Sequence, residues 1–333
     1  MVLKPSDFRV PEVYADWCPG CGDFGIMNGL QMAFAELGLE PYQIVMVSGI
    51  GCSGKEPHNV KCNGVHTLHG RTLPFAMGIK VANPALEVVA IGGDGDGLGI
   101  GAGHFVNAGR RNLDMTYIIH NNGVYGLTKG QFSASADPGS TAKKGEANTM
   151  QAIDSVLLAL TLGATFVARS FSGDKAQLVP ILKAGLAHRG FAFIDVISPC
   201  VTFNDHEGST KSYAHTREHK VEVVQADFVP PREEITTDYA EGTLQNVMLH
   251  DGSWVKLRKL AHDYDPTDRD KAYAHIRESQ KKNEVVTGLL YISSDSKDVH
   301  DQNETVAAPL YNLPHEQLCP GNDALQKLMG QFR

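Results

Sequence analysis

The sequence predicts an α/β fold built on a doubly wound, mostly parallel sheet, followed by a C-terminal extension. Nearly continuous apolar runs recur along the chain as far as Cys200, which is typical of parallel strands buried on both faces. Helical patterns separate these runs, and strand–helix alternation predicts right-handed crossovers. With 333 residues, of which 42% are apolar, the chain is long enough for one large domain plus an extension.

Five apolar runs predict the strands of this sheet. They are residues 43–48, 86–91, 115–120, 164–168 and 191–197. The helical patterns that alternate with them are residues 26–37, 74–81, 99–110, 150–162 and 175–188. Glycine-rich or polar loops follow the first three strands, at the sheet edge where ligands bind in open α/β folds.

The character of the chain changes after Cys200, and we predict a domain boundary near residue 215. Residues 1–215 would form the main domain and residues 216–333 the extension. From residue 203 onward we predict an irregular polar segment, a hairpin, a helix and a strand, at residues 203–245, 246–257, 266–280 and 284–292. Asp251-Gly252 favours the hairpin turn, and the last forty residues are expected to be rich in loops.

Charge and composition narrow the class of protein. The net charge of −8 and a pI near 5.9 argue against binding to nucleic acid or to an anionic membrane surface. The longest apolar stretch, residues 156–168, is too short to cross a bilayer, and the N-terminus has no apolar signal core. Six cysteines in 333 residues do not indicate a disulfide framework. We therefore expect a cytoplasmic protein.

Polar residues follow two of the predicted strands. Gly93-Asp94-Gly95 comes after one strand and Asn121-Asn122 after the next. Asp94 and Asn122 are hard oxygen ligands of the kind that Mg²⁺ prefers, and the glycines between them expose backbone N–H groups suited to a diphosphate. The alternative is a pair of ordinary strand-to-helix turns, but the strand context favours a cofactor site.

Four of the cysteines are placed to meet at one sheet edge. Cys18 and Cys21 form a C-x-x-C pair, Cys52 follows the first strand, and Cys200 follows the last. Four thiolates suit a 4Fe–4S cluster, but they also suit a structural zinc ion, and a C-x-x-C pair is also typical of thioredoxin-type redox sites. For Cys62 and Cys319 we expect buried structural thiols.

Cationic residues follow the first strand as well. Lys55, His66, His69 and Arg71 could bind a carboxylate or a diphosphate, or they could form a solvated loop with one core histidine. The same region contains the dinucleotide pattern Gly49-Ile-Gly-Cys-Ser-Gly54. We reject a nicotinamide site because a poor helix follows and no acidic residue occurs from residue 57 to residue 85.

Longer motifs indicate a family. They are Trp17-Cys-Pro-Gly-Cys-Gly22, Gly49-Ile-Gly-Cys-Ser-Gly-Lys55, Thr67-Leu-His-Gly-Arg71, Gly93-Asp-Gly95 and Asn122-Gly-Val-Tyr-Gly-Leu-Thr-Lys-Gly-Gln131. With them the chain resembles, from residue 10 to about residue 215, the beta subunits of 2-oxoacid:ferredoxin oxidoreductases, particularly the 2-oxoglutarate branch. The resemblance implies the thiamine-diphosphate-binding fold.

The resemblance also implies cofactors and the residues that bind them. A 4Fe–4S cluster would be held by Cys18, Cys21, Cys52 and Cys200, and Mg²⁺ by Asp94, Asn122 and Val124. Lys55 would contact the substrate carboxylate, and His69 the cofactor. Thiamine diphosphate would be bound by Gly51, Cys52, Ser53, His69, Gly93, Asp94, Gly95, Asp96, Asn122, Val124, Gly126, Leu127 and Thr128.

The implied activity needs partners. Oxidative decarboxylation of a 2-oxoacid, in the first place the reversible conversion of 2-oxoglutarate to succinyl-CoA and CO₂, would pass electrons through the cluster to ferredoxin. The chain has a single thiamine-binding half, so an alpha subunit would supply the catalytic glutamate and most of the coenzyme A pocket, in an α₂β₂ assembly. The alternatives are pyruvate as substrate, a non-redox thiamine decarboxylase or synthase with a structural zinc site, and a zinc-stabilised regulatory subunit.

Overall fold

The computed structural model describes residues 2–141, 147–229, 244–248, 254–259, 264–319 and 321–332. The strands within these residues are β1 (Ile44–Ser48), β2 (Asn63–His66), β3 (Glu87–Gly93), β4 (Met115–Asn121), β5 (Val124–Tyr125), β6 (Gln131–Phe132), β7 (Phe166–Phe171), β8 (Phe191–Ile197), β9 (Lys220–Val229), β10 (Leu244–Met248), β11 (Trp254–Lys259) and β12 (Val285–Ile292). The helices are α1 (Asp23–Leu37), α2 (Glu56–Asn59), α3 (Thr72–Ala82), α4 (Ala102–Arg111), α5 (Ser155–Leu162), α6 (Lys175–Ala187), α7 (Tyr213–His219), α8 (Arg269–Lys281), α9 (Val299–Gln302), α10 (His315–Leu318) and α11 (Gly321–Gly330).

Ten of these strands form one mostly parallel sheet, in the order β10-β11-β9-β12-β7-β8-β4-β3-β1-β2. The block from β7 to β2 is parallel throughout. Strand β12 runs antiparallel to β7 and parallel to β9, and β11 and β10 complete the edge in antiparallel pairing. Helices α1 and α6 pack together, while α3, α4, α5 and α8 form a second row. The predicted doubly wound α/β fold is confirmed.

All five strands predicted in the main domain are present, and local chemistry explains where some helices begin and end. We predict α5 from residue 150, but it begins at Ser155 because the side chain of Asp154 accepts hydrogen bonds from the backbone N–H groups of Val156 and Leu157. The helix ends at Gly163, whose φ of 88° is costly for other residues.

The extension is more regular than we predict from the sequence. Helix α7 and strand β9 occupy residues 213–229, which we predict to be irregular, and α9, α10 and α11 lie in the tail that we predict to be loops. The predicted helix and strand are present as α8 and β12, and β10 pairs with β11 as a hairpin. The turn Asp251-Gly252 lies outside the described residues. The boundary at residue 215 stays a prediction, and strands on both sides of it share one sheet.

The core lies under the middle strands of this sheet. Every residue of β4 and of β8 is buried. The rings of Phe105, Tyr117, Phe191 and Phe193 pack together, with centroids 4.8–6.3 Å apart. This packing joins α4 to β4 and β8, the strands at the centre of the sheet. None of the helices in the described ranges is long and apolar enough to span a bilayer.

Candidate active site

The loops at the carboxyl ends of β1, β3 and β4 enclose one cavity. All thirteen residues that we predict to bind thiamine diphosphate line it, and Ile50 and Tyr125 complete its wall. Two larger cavities, of about 620 and 380 Å³, lie elsewhere and contain none of the predicted site residues. The motifs of the sequence therefore converge on one place.

Asp94 is held by one carboxylate oxygen. Oδ2 accepts hydrogen bonds from Gly123 N at 2.8 Å, from Ser133 Oγ at 2.5 Å and from Ser135 Oγ. Oδ1 is buried and has no hydrogen-bond partner among the described residues. Burial raises the pKa of this carboxyl, and the two serines oppose the rise. A buried oxygen without a partner fits a divalent cation, because the ion would supply the missing interaction.

The other two predicted Mg²⁺ ligands lie beside Asp94. Asn122 Oδ1 accepts a hydrogen bond from Val124 N at 3.0 Å, and its backbone oxygen accepts one from Asn204 Nδ2 at 2.8 Å. One carboxylate, one amide and one carbonyl are hard oxygen donors, which fit Mg²⁺. In the described part of the chain, no three side chains of His, Cys, Asp or Glu are grouped so that they could hold one metal ion.

Asp96 has a different role from Asp94, although only Gly95 lies between them. Its Oδ1 lies 2.6 Å from His69 Nδ1 and accepts hydrogen bonds from the backbone N–H groups of Ile50 and Gly70. Asp96 thus orients the ring of His69 and ties two loops to the cavity. His69 keeps about a third of its side-chain surface exposed, beside the ring of Tyr125.

The helix that we predict over residues 99–110 begins later than expected. Residues 95–100 form a turn of π-helix, and α4 begins only at Ala102. A Cβ atom at Gly95 would lie 2.4 Å from the ring of Tyr125, and one at Gly99 would lie 2.5 Å from its hydroxyl. The Tyr125 hydroxyl donates to the Gly95 carbonyl at 2.9 Å. These glycines therefore make room for the tyrosine that closes the cavity.

Backbone contacts bring the cysteine loops together. The N–H group of Gly22 donates to the Pro199 carbonyl at 3.3 Å, which joins the C-x-x-C loop to the loop of Cys200. Trp17 Nε1 donates to the Cys52 carbonyl at 2.8 Å, which joins the same loop to the one after β1. Three segments that are distant in sequence thus meet at the carboxyl edge of the sheet.

Gly126 shows how close two of these cysteines come to the cavity. A Cβ atom at this position would lie 3.5 Å from Cys52 Sγ and 3.6 Å from Cys200 Sγ. Burial, with a further contribution from Asp23, raises the pKa of Cys52 to about 12 and also raises those of Cys21 and Cys200. Clustered thiols that stay neutral without a ligand fit a bound metal group, whose positive charge would stabilise the thiolates.

The remaining predicted residues lie at the margin of the site. Lys55 Nζ is 2.7 Å from Asp16 Oδ2, and the lysine does not line the cavity. His66 Nδ1 lies 2.8 Å from the Gly54 carbonyl, and Arg71 is exposed. Two further cysteines were expected to be buried: Cys62 is partly buried, whereas Cys319 is exposed, so the prediction for Cys319 is wrong.

Several residues with a clear place in the site are missing from the predicted site residues. Ser133 and Ser135 hold Asp94, and Tyr125 closes the cavity. His120 lies between the carboxylates of Asp23 and Glu56. No local signal marks the two serines, because they reach Asp94 only through the folded loop. His120 stands two residues before Asn122. A histidine near the end of a buried strand, so close to a predicted ligand, is a sequence feature that could have identified it.

Comparison with known proteins agrees with this geometry. Residues 46–196 match the family model described as "Thiamine pyrophosphate enzyme, C-terminal TPP binding domain". The beta subunit of 2-oxoacid:ferredoxin oxidoreductase from Saccharolobus solfataricus is 55% identical over 210 residues, which are 62% of this chain and 68% of that protein. The chain belongs to this family of beta subunits.

Two further relatives of this beta subunit are named for 2-oxoglutarate. The 2-oxoglutarate synthase subunit KorB of Methanocaldococcus jannaschii is 41% identical over 196 residues, covering 59% of this chain and 72% of that protein. A solved 2-oxoglutarate:ferredoxin oxidoreductase from Magnetococcus marinus, with 2-oxoglutarate, coenzyme A and succinyl-CoA bound, aligns with a TM-score of 0.74 and 34% identity, over 91% of this chain and 89% of that one. The predicted family and the oxidoreductase class are confirmed.

Proposed function

We propose that this beta subunit binds thiamine diphosphate with Mg²⁺ and one 4Fe–4S cluster, and that with its alpha subunit it oxidatively decarboxylates 2-oxoglutarate to succinyl-CoA and CO₂. Electrons pass through the cluster to ferredoxin. The match to a thiamine-binding family model and the relatives named for 2-oxoglutarate support the proposal.

One observation carries the proposal. The cavity that contains the unpaired Oδ1 of Asp94 is also lined by Cys52, and Cys52 and Cys200 both lie beside Gly126 in its wall. Oxygen donors that suit a metal ion and the thiols of two cysteines therefore share a wall. This arrangement suits a decarboxylation whose electrons leave at once through a neighbouring redox centre.

The chain's own residues would have distinct tasks. Ser133, Ser135 and Gly123 hold Oδ2 of Asp94, so that Oδ1 faces the metal. Thiamine diphosphate, when bound, would act as the electron sink for loss of CO₂. Asp96 holds the His69 ring at the cavity, where it would contact the cofactor.

The 2-oxoacid would be bound at the mouth of the cavity. Lys55, three residues after the cavity residue Cys52, is paired with the exposed Asp16, and an incoming carboxylate could replace that partner. We prefer 2-oxoglutarate because relatives carry that name. Pyruvate is the second candidate. Comparing kcat/KM of the assembled enzyme for the two acids would decide, and a clear preference for pyruvate would reject 2-oxoglutarate.

The alpha subunit would complete the site, in an α₂β₂ assembly. We assign to it the catalytic glutamate and most of the coenzyme A pocket, since this chain has one thiamine-binding half. Purified beta subunit, assayed with 2-oxoglutarate, coenzyme A and a viologen dye, should show no turnover, and adding the alpha subunit should restore it. Robust turnover by the beta subunit without its partner would contradict this assignment.

The metal content of anaerobically purified protein tests the cluster most directly. We expect about four iron and four sulfide per chain, as Cys18, Cys21, Cys52 and Cys200 would bind one 4Fe–4S cluster. One zinc per chain and no iron would favour a non-redox thiamine enzyme with a structural site. Cys200→Ser should lower the iron content, whereas the control Cys319→Ser, at an exposed cysteine, should leave it unchanged.

A further inference from the structure

A buried ionic triad lies beneath the cysteine loops. His120 Nδ1 is 3.0 Å from Asp23 Oδ1, and His120 Nε2 is 3.1 Å from Glu56 Oε2. All three residues are at most 1% exposed. Burying three ionisable groups is unfavourable unless they compensate one another, so this arrangement requires a reason beyond core packing.

Each member of the triad stands next to a predicted ligand. Asp23 begins α1 two residues after Cys21, and His120 is the second-last residue of β4, two residues before Asn122. Glu56 begins α2, directly after Lys55 and four residues after Cys52. One imidazole thus joins the loop of the cysteine pair, the Mg²⁺-binding turn and the substrate-binding loop.

The Asp23 side of the triad reaches a fourth segment. Ser198 Oγ donates to Asp23 Oδ1 at 2.7 Å, and Ser198 stands two residues before Cys200. The Asp23 carboxylate therefore connects His120 to the segments of both Cys21 and Cys200. The Asp23 side faces mainly the cluster ligands.

The Glu56 side has fewer contacts. Across the described ranges, neither the carboxylate oxygens of Glu56 nor Nε2 of His120 has a hydrogen-bond partner, and Nε2 faces Glu56 Oε2 at 3.1 Å. Burial raises the pKa of Glu56, and His120 opposes the rise. The position of Glu56, and with it the start of α2 and the adjacent Lys55, thus depends on the imidazole.

We propose that His120 is a positioning residue that holds the cluster loops and the Lys55 loop in register with the thiamine site. Its Nδ1 bond to Asp23 orders the segments of Cys21 and Cys200, and its Nε2 contact with Glu56 orders the segment of Lys55. This inference rests on the proposed function for the identity of the cluster and the substrate.

Two amide substitutions separate the two halves of the triad. The amide nitrogen of Asn stands near the place of Nδ1, and that of Gln near the place of Nε2. In the assembled enzyme, His120→Gln should therefore lose the Asp23 bond and retain less than half of the wild-type iron and sulfide. His120→Asn should keep its iron but show a KM for 2-oxoglutarate raised roughly tenfold, the effect of misplacing one charged hydrogen bond.

A buried histidine far from the site provides the matched control. His188 is 3% exposed, lies before β8 at the opposite sheet edge, and is 2.8 Å from Thr165 Oγ1. His188→Gln should leave iron content and KM unchanged. If His120→Asn and His120→Gln instead lose iron and raise KM to equal degrees, or if both match the wild type, the positioning role is wrong.

Glu56 provides a second test if the variants at position 120 do not assemble. Glu56→Gln keeps an oxygen facing His120 and should have a wild-type KM, whereas Glu56→Ala should raise KM and retain iron. Equal behaviour of these two variants would overturn the inference. Wild-type enzyme without iron would overturn the proposed function instead, so the two failures can be told apart.

Discussion

Two buried ionic regions lie close together in this protein, and they differ in how completely their charges are paired. In the first, Arg169 Nε lies 2.7 Å from Asp195 Oδ2, and its Nη2 lies 2.9 Å from Asp154 Oδ1. The second oxygens of these aspartates accept hydrogen bonds from Asn121 and Gln280. In the second region, Asp94 Oδ1 has no partner in the described part of the chain.

The two regions are physically connected. Ser135 Oγ donates to Asp94, and it lies 2.8 Å from the side-chain oxygen of Asn121, whose amide nitrogen donates to Asp195. A network with complete pairing stabilises the fold, while the end that lacks a partner marks where a ligand belongs. Burial by itself therefore does not identify a functional carboxylate, whereas incomplete pairing together with a place in the cavity wall singles out Asp94.

The largest effect is expected from substitution of Asp94, whose Oδ1 has no partner in the described residues. Asp94→Ala should abolish binding of thiamine diphosphate while leaving the cluster intact, because it removes the carboxylate that would bind Mg²⁺ and leaves the cysteine loops unchanged. Cofactor content and cluster absorbance should be measured in the same sample. Asp298→Ala, which removes a buried capping aspartate far from the site, is the control. Normal cofactor occupancy in Asp94→Ala would refute the assignment.

Substitution of Arg169, which pairs with Asp154 and Asp195, should change the stability of the protein rather than its cofactor binding. Arg169→Met would leave the buried Asp195 and the partly buried Asp154 without their cation, which should lower the free energy of unfolding by about 3–5 kcal/mol. Arg189→Met is the control, since Arg189 is 43% exposed and its ion pairs should contribute at most about 1 kcal/mol. Denaturant titration of both variants measures the difference. Equal losses would show that burial does not govern these pairs.

The next prediction concerns Lys55, whose ion pair with Asp16 is exposed enough for a substrate carboxylate to replace the aspartate. Lys55→Ala should weaken binding of the 2-oxoacid by about 1.5–3 kcal/mol, or roughly tenfold to a hundredfold in KM. Iron and thiamine content should not change. Lys183→Ala, which removes a lysine paired with Glu36, serves as the control. An unaltered kcat/KM in Lys55→Ala would mean that another group, such as an arginine of the alpha subunit, binds the carboxylate.

The smallest effect concerns acid stability of the paired network. Burial opposes ionisation of Asp154, but Arg169 and the N–H groups of Leu157 and Val156 together outweigh it, so the pKa of this carboxyl lies below its usual value. A carboxyl with a lowered folded-state pKa stabilises the protein above its unfolded pKa of about 3.9, and this contribution is lost as the pH falls further.

Asp154→Asn isolates that contribution, because asparagine can still cap α5. The stability difference between wild type and Asp154→Asn should be full at neutral pH and should shrink below about pH 4. Urea titrations across this range measure it. A difference that is the same at every pH would show that the charge of Asp154 contributes nothing.

Much of the site could be predicted because parallel strands place distant loops at one edge. The thirteen cofactor residues line one cavity, and Cys52 and Cys200 meet beside Gly126, although 148 positions separate them in the chain. Strand positions follow from runs of apolar residues, which have to be buried wherever the sheet forms. The prediction that the segment after residue 203 is irregular was wrong. Strand β9 is ordered by pairing with β12 and β11, and local sequence does not indicate such pairing.

Asp94 and Asp96 show where local sequence stops being informative. Both follow the same strand in the same glycine-rich run; both were predicted to contact thiamine diphosphate, and Asp94 was also predicted to bind Mg²⁺. In the fold, Asp96 is satisfied by His69 and two backbone N–H groups, while Asp94 keeps one oxygen unpaired. Motifs specified the types of ligand and the edge at which they gather, because these depend on residue identity and strand order. Which oxygen is left for a metal, and which histidine joins which carboxylates, depends on three-dimensional contacts between segments far apart in the chain.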